Sequence, residues 1–318
     1  SKIMEDSAQF FQLEWSGHIK PIDSLITCFL DITANGSTTA TNRAEAIKCL
    51  NTVIPLQTQS FSLRINEFLN SLFQLAQSDE SDDVRVQVCI AFSSLLKFRP
   101  DKLVDNLAGL IHFMLHLIST VKEEKVSIEA CEFIHSFCTD PSIPEHIVQP
   151  FVTDIVPVLL TKMVYNEESI MVLESSNDDD ASEEDKDEDI RPAAPRIVKK
   201  QRGDGEDSDD DDDDDSGVDE SDVDTQWNLR KCAASTLDVM TNILPRDVMY
   251  VAFPFLKEHL NSDRWFIREA TVLALGAMAE GGMKYFDDQL PHLIPFLVEQ
   301  LQDVWAPVRK ITCWSLSR

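Results

Sequence analysis

The amino-acid sequence predicts an all-α fold in which antiparallel helix pairs stack into a superhelical array. One position recurs at Arg43, Arg85, Ser127, Arg230, Arg268 and Arg309, at intervals of 42, 42, 103, 38 and 41 residues. Removing an acidic tract of 58 residues, 167–224, shortens the long interval to 45. The chain has only 9 glycines and no alternating strand pattern with hairpin turns. A period near 40 with two amphipathic helices per unit is typical of a HEAT-repeat α-solenoid.

Each repeat is interpreted as an A helix, a short turn and a B helix, because apolar residues recur at helical spacing. The A helices are predicted at Ile22–Thr33, Phe61–Gln77, Leu103–Thr120, Val148–Val164, Val248–Leu260 and Asp288–Leu301. The B helices are predicted at Ser1–Leu13, Asn42–Val53, Asp83–Phe98, Lys125–Cys138, Thr225–Ile243, Trp265–Ala279 and Ala306–Arg318. Three regions follow: repeats over 1–166, an inserted loop over 167–224 and further repeats over 225–318. Because the pattern begins and stops inside helices, we expect a segment of a longer array.

The turns into several B helices share an Asp followed within a few residues by an Arg. This pattern occurs as Asp82 to Arg85, Asp263 to Arg268 and Asp303 to Arg309. An Asp near a helix start accepts from free N–H groups and interacts favourably with the helix dipole. We expect the Arg of one repeat to pair with the equivalent Asp of the next, which gives a structural ladder along the stack.

The inserted segment 167–224 contains 26 acidic and 6 basic residues, whereas the whole chain has 56 and 28, a net charge of −28. Such a composition cannot bury enough apolar surface to fold, so the loop is predicted to be disordered. Its regulatory element is predicted to be the run of seven aspartates Asp209, Asp210, Asp211, Asp212, Asp213, Asp214 and Asp215. A basic island at 191–200 either balances charge or folds back onto the protein in place of a basic ligand.

Composition excludes several functional classes. The seven cysteines are odd in number and form no C-x-x-C pair, which favours free thiols in a reducing compartment. We expect no transmembrane segment, because no apolar run approaches 18 residues. No constellation of catalytic or metal-ligating residues is recognisable, so we expect a binding protein without cofactors rather than an enzyme. The acidic charge favours basic protein partners over nucleic acid or anionic membranes.

Three sequence strings carry a resemblance to a known family. They read TQWNLRKC over Thr225–Cys232, ALGAMAEG over Ala274–Gly281 and ITCWSLSR over Ile311–Arg318. They closely resemble transportin, the karyopherin-β type of nuclear import receptor. SKIMEDS at the start, VIPLQ at Val53–Gln57 and DRWF at Asp263–Phe266 resemble the fungal form. The resemblance covers essentially the whole chain. Within the inserted loop it lies in the acidic composition more than in the order of the residues.

The resemblance implies a function and a set of partners. Such receptors bind cargo proteins, including RNA-binding proteins, through basic proline-tyrosine localisation signals on the concave B-helix face. They cross the nuclear pore by contacts with phenylalanine-glycine nucleoporins and release cargo when Ran-GTP binds. In that family the acidic loop, inserted in the eighth repeat, couples Ran-GTP to release. We therefore expect a monomeric receptor that shuttles between cytoplasm and nucleus.

Matching motif positions one by one, the resemblance implies a pocket for the cargo signal. Its residues would be Ser235, Asp238, Leu273, Ala277, Ile311, Trp314 and Arg318. Helical spacing agrees, because Ile311, Trp314 and Arg318 lie three and four residues apart and so share one helix face. Trp314 could then pack against a proline or tyrosine ring. The alternative is that Ile311 and Trp314 simply face the core of the repeats.

Two other functional classes remain open from the residues. One is a HEAT-repeat scaffold, such as a phosphatase or chromosome-complex subunit, that holds basic partners with its acidic tract. The other is an acidic chaperone for histones or ribosomal proteins, whose binding would follow charge alone and be lost in salt.

Overall fold

The computed structural model describes residues 20–78, 81–180 and 227–318. Helices, turns and short 3₁₀ segments make up these residues, and no strand occurs among them. The helix predicted at Ser1–Leu13, the basic island at 191–200 and the run Asp209–Asp215 lie outside the described residues. The chain divides into two compact units, Ser1–Ile143 and Pro144–Arg318.

The first unit contains three helix pairs. The helices are α1 Pro21–Ala34, α2 Ala40–Val53, α3 Gln59–Gln77, α4 Asp82–Phe98, α5 Leu107–Thr120 and α6 Glu124–Thr139. Helices α2, α4 and α6 pack side by side in one layer, and each also packs against the helix that precedes it in the chain. This alternation confirms the division into A and B helices.

Local sequence signals explain where these helices begin and which face they bury. Thr58 caps α3, because its side-chain oxygen accepts a hydrogen bond from the backbone N of Phe61 at 3.3 Å. From there α3 buries one stripe at helical spacing: Phe61, Ile65, Phe68, Leu69, Leu72 and Leu75. Such a stripe is wide enough to pack against two neighbouring helices at once.

The second unit continues the pattern. Its helices are α7 Glu145–Val148, α8 Val152–Lys162, α9 Glu167–Asp180, α10 Leu229–Ile243, α11 Pro245–His259, α12 Trp265–Phe286, α13 Leu290–Gln300 and α14 Ala306–Ser317. Helices α10, α12 and α14 form one layer of neighbours, while α8 packs beside α11 in the other. This unit therefore carries the B helices on which the cargo-signal residues are predicted to lie.

The structure differs from the sequence prediction at the start of the acidic insertion. The segment predicted to be unstructured from Glu167 begins with a helix of 14 residues, α9. Asn166 caps this helix, because its side-chain oxygen accepts from the backbone N of Ser169 at 2.7 Å. Leu173 in α9 is only 4% exposed. Tertiary packing therefore overrides the acidic composition of this stretch.

Several helix ends differ from the prediction by a few residues, and two of them have a clear physical reason. Helix α10 begins at Leu229 rather than Thr225, since the side chain of Asn228 accepts from the backbone N of Lys231 at 3.0 Å and caps it. Helix α12 continues to Phe286, beyond the predicted end at Ala279. The glycines that suggest a helix end there lie inside α12, where they allow other helices to approach closely.

One described stretch, Glu145–Ser175, is long and apolar enough to cross a membrane by length and composition alone. The stretch meets this criterion by its average hydropathy, because polar and charged residues such as Asp154 and Lys162 interrupt its apolar residues. Its apolar residues Val152, Ile155 and Leu159 are buried. The stretch accordingly contributes core residues to the second unit, as a buried helix of a repeat would.

Candidate functional site

Helix α12 packs closely against both of its neighbours in the B layer, and glycine makes this possible. A Cβ added at Gly281 would lie 2.6 Å from the backbone carbonyl carbon of Thr241 in α10. A Cβ at Gly276 would lie 2.5 Å from Cζ3 of Trp314 in α14. On the α14 side, Ser315 Oγ donates a hydrogen bond to the carbonyl oxygen of Val272 at 2.9 Å. The three helices therefore present one closely spaced surface.

An ion pair crosses this surface. Nη2 of Arg318, which follows α14, lies 2.9 Å from Oδ2 of Asp238 in α10 and 3.5 Å from Oε2 of Glu280 in α12. The guanidinium carbon of Arg318 also lies 5.8 Å from the ring centroid of Trp314, within cation–π range. One guanidinium thus contacts side chains of all three helices.

The carboxyl of Asp238 sits in a mixed environment. Burial raises the pKa of Asp238 above its ordinary value more than the adjacent Arg318 guanidinium lowers it. Glu280 adds to the increase, while a hydrogen bond from Asn242 opposes it. The carboxylate is therefore incompletely neutralised by its partner, and a cationic or hydrogen-bond-donating ligand would stabilise it.

The seven residues predicted to bind the cargo signal fall into two groups. Leu273, Ala277 and Ile311 are buried, with exposed fractions of 5%, 2% and 8%. Ser235, Asp238 and Trp314 are half-buried; Arg318 is exposed as a whole residue, although its side chain is only 24% exposed. The structure thus joins Asp238, Trp314 and Arg318 in one cluster. It places the three apolar residues in the packing of the helices rather than along an open trough.

Sequence reasoning missed some members of this surface. Glu280 contacts Arg318, and Gly276 admits the Trp314 ring. Helical spacing could have indicated both Gly276 and Glu280. They lie three and seven residues after Leu273 on α12 and so share a helix face with this predicted residue.

One pair of the predicted Asp–Arg ladder is present, at the opposite end of the B helices. Arg268 Nη2 lies 2.6 Å from Oδ2 of Asp303 in the next repeat, and Arg268 Nη1 donates to the carbonyl oxygen of Ser262 at 2.7 Å. Arg85, in the first unit, pairs with Asp82 of its own turn at 2.8 Å. The inter-repeat pairing is therefore confirmed for Arg268.

These helix pairs, their phased arginines and their shared layers define a HEAT-repeat α-solenoid. A family model for the HEAT-like repeat matches residues 265–318. Among solved structures, Kap121p bound to Pho4p resembles the fold with a TM-score of 0.61 and 17% identity, over 99% of this chain and 27% of that one. Kap121p bound to Nup53p gives a TM-score of 0.59 at 16% identity, over 99% and 26%.

Two curated relatives match the chain along its whole length. Importin subunit beta-2 of Saccharomyces cerevisiae is 70% identical over all of this chain and 35% of its own length. Transportin-1 of Mus musculus is 36% identical, again over all of this chain and 35% of its own. The chain is therefore similar, along its whole length, to the importin beta-2 and transportin type of karyopherin. It spans about a third of the length of these relatives.

Proposed function

We propose that the protein containing this chain is a nuclear import receptor, and that its α10–α12–α14 surface binds proline-tyrosine localisation signals of basic cargo proteins. The similarity to importin beta-2 over the whole chain is the observation that carries this proposal. As an import receptor it would shuttle between cytoplasm and nucleus, contact phenylalanine-glycine nucleoporins and work without catalysis or a cofactor.

The chemistry of the surface supports this ligand class. The half-buried indole of Trp314 offers a flat apolar face for a proline or tyrosine ring. Asp238 and Glu280, joined through Arg318, offer carboxylates to a tyrosine hydroxyl or a basic side chain of the signal. The net charge of −28 would draw a basic, disordered segment toward the protein.

The test measures binding of a fluorescently labelled basic proline-tyrosine peptide. We expect Trp314→Ala to weaken binding about 30-fold, the effect of losing an aromatic hot spot worth ~2 kcal/mol, at unchanged net charge. Tyr250→Ala is the matched control, because Tyr250 is an aromatic residue of α11 that is 82% exposed. Its peptide affinity should equal that of the parent protein.

The acidic chaperone is the competing function, and the large negative charge is what favours it. For a chaperone of this kind, affinity for the basic peptide should fall steeply as the salt concentration rises. It should also be unchanged by Trp314→Ala. Equal binding by Trp314→Ala and its parent, combined with loss of binding at high salt, would replace the import-receptor proposal with the chaperone. A scaffold of another kind would bind no such peptide at all.

We further propose that the acidic insertion couples Ran-GTP to release of the cargo. Because α9 is folded against the second unit, the informative deletion removes residues 181–224 and leaves α9 in place. In the full-length protein this deletion should preserve peptide affinity and abolish release by Ran-GTP. Normal release from the deleted protein would refute a role for the insertion.

A further inference from the structure

Both ends of the acidic insertion are held together at the start of α10. Arg230 Nε donates to the carbonyl oxygen of Met163 at 2.8 Å, a contact between residues 67 apart in the chain. The guanidinium carbon of Arg230 lies 4.1 Å from the ring centroid of Tyr165, and the side chain forms an ion pair with Glu269 of α12. We call Met163, Tyr165 and Arg230 the neck of the insertion.

Beyond the neck, α9 packs onto the start of α12. Leu173 is 4% exposed and lies in one apolar cluster with Trp265 and Val308. Glu174 Oε1 accepts a hydrogen bond from the indole N–H of Trp265 at 3.0 Å. Since Trp265 is 3% exposed, α9 helps to cover it and also satisfies its buried donor.

The same cluster reaches the start of α14. The rings of Trp265 and Trp305 stack with centroids 5.1 Å apart and an interplanar angle of 18°. Trp265 is the first residue of α12, Trp305 occupies the N-cap position of α14, and Val308 lies in the first turn of α14. One helix, α9, therefore covers the first turns of both helices that carry Leu273, Ala277, Ile311 and Trp314.

Helix α9 has little stability of its own. It has 14 residues, and isolated helices of about that length are marginal in water. The helix consequently depends on its contacts with Trp265 and Val308. We call α9 seated when these contacts are made and released when they are broken.

We propose that α9 is a detachable clasp that couples the acidic insertion to the ligand surface. Seated, it fixes the first turns of α12 and α14 and so preorganises the surface; released, it lets those turns loosen and lowers ligand affinity. The effect on affinity rests on the proposed function, whereas the effect on the helices does not. A partner that binds the insertion and displaces α9 would therefore lower the affinity of the surface for its ligand.

The test compares two substitutions in α9 by hydrogen exchange of the protein without ligand. Leu173→Ala removes a buried contact, and Met171→Ala, at a residue 70% exposed, is its control. We expect Leu173→Ala to abolish protection of α9 and to speed exchange about tenfold in the first turns of α12 and α14. Met171→Ala should match the parent. Glu174→Ala, which removes only the bond to Trp265, should change exchange in the same direction by less and stands in if Leu173→Ala fails to fold.

A second arm measures affinity for the labelled proline-tyrosine peptide, which should fall about fivefold or more in Leu173→Ala. Protection of α9 that survives Leu173→Ala, or α12 and α14 turns that stay protected after α9 is released, would overturn the clasp. Unchanged peptide affinity despite faster exchange would overturn its coupling to the surface. If the parent protein fails to bind the peptide, the proposed function fails, and hydrogen exchange still decides whether the clasp exists.

Discussion

Arg318 and Asp238 form an ion pair of 2.9 Å that spans α12, joining the end of α14 to α10. Their side chains are 24% and 18% exposed, so the pair is only partly screened by water. The same guanidinium faces Trp314. A single contact therefore contributes both to the packing of three helices and to the surface proposed to bind the cargo signal.

We predict a measurable coupling energy between these two residues. A double-mutant cycle of Asp238→Asn and Arg318→Ala, followed by urea unfolding, should give about 1 kcal/mol, at the upper end for exposed pairs because both side chains are mostly buried. The two single variants are the controls, because the coupling energy is the difference between the effect of the double variant and the sum of their effects. Additive effects within about 0.3 kcal/mol would mean that the pair does not stabilise the fold.

The raised pKa of Asp238 predicts a pH dependence with a definite sign. A carboxyl whose folded pKa exceeds its ordinary 3.8 binds its proton more strongly in the folded state. Ionisation of Asp238 therefore costs stability as pH rises from about 3.8 through the folded pKa, and this cost stays constant at higher pH. Asp238→Asn removes the cost, so its free energy of unfolding relative to the parent should rise across that window and then level off.

Urea unfolding of both proteins from about pH 4 to about pH 7 checks this prediction. Glu258→Gln, at an exposed residue of α11, controls for the change in net charge. A relative stability of Asp238→Asn that declines with rising pH would mean that Arg318, rather than burial, dominates the carboxyl.

The helical framework was largely predictable because its signals are local and repeated. The first turn of α12 and that of α14 begin at Trp265 and Ala306, as the sequence predicts. The end of α12 was not predictable, because Gly281 reads as a helix terminator. In the structure Gly281 serves instead as the contact point with Thr241, a residue 40 positions earlier in the chain.

The site was predictable in its helices but less so in its contacts. Spacing placed Trp314 and Arg318 on one face, and the structure joins them with Asp238. The packing of α9 against α12 and α14 was not predicted, because its acidic composition argues against an ordered helix. Leu173 is nevertheless buried, by residues such as Trp265 that are remote in sequence. Contacts of that kind have no local signal.

Close helix packing predicts opposite outcomes for two glycine-to-alanine substitutions. Gly276→Ala places a Cβ 2.5 Å from the Trp314 ring, so we expect it to cost about 1–3 kcal/mol and to shift Trp314 out of position. Gly109→Ala, in α5, places its Cβ in open space and should stabilise the protein by about 0.5–1 kcal/mol.

Thermal unfolding measures both stabilities, and binding of the labelled peptide reports the position of Trp314. Gly276→Ala should weaken peptide binding, while Gly109→Ala should leave it unchanged. Stabilisation by Gly276→Ala would show that α14 can move away from α12 without loss.

The ion pair between Arg230 and Glu269 gives the largest predicted effect on stability. Glu269 is 1% exposed, so Arg230→Ala takes the cationic partner away from a buried carboxylate. We expect Arg230→Ala to cost about 3–5 kcal/mol of unfolding free energy. The double variant Arg230→Ala/Glu269→Leu also removes the buried carboxylate of Glu269, so it should recover part of this loss. Equal stability of the single and double variants in urea unfolding would mean that the guanidinium acts mainly through Met163 and Tyr165 rather than by neutralising Glu269.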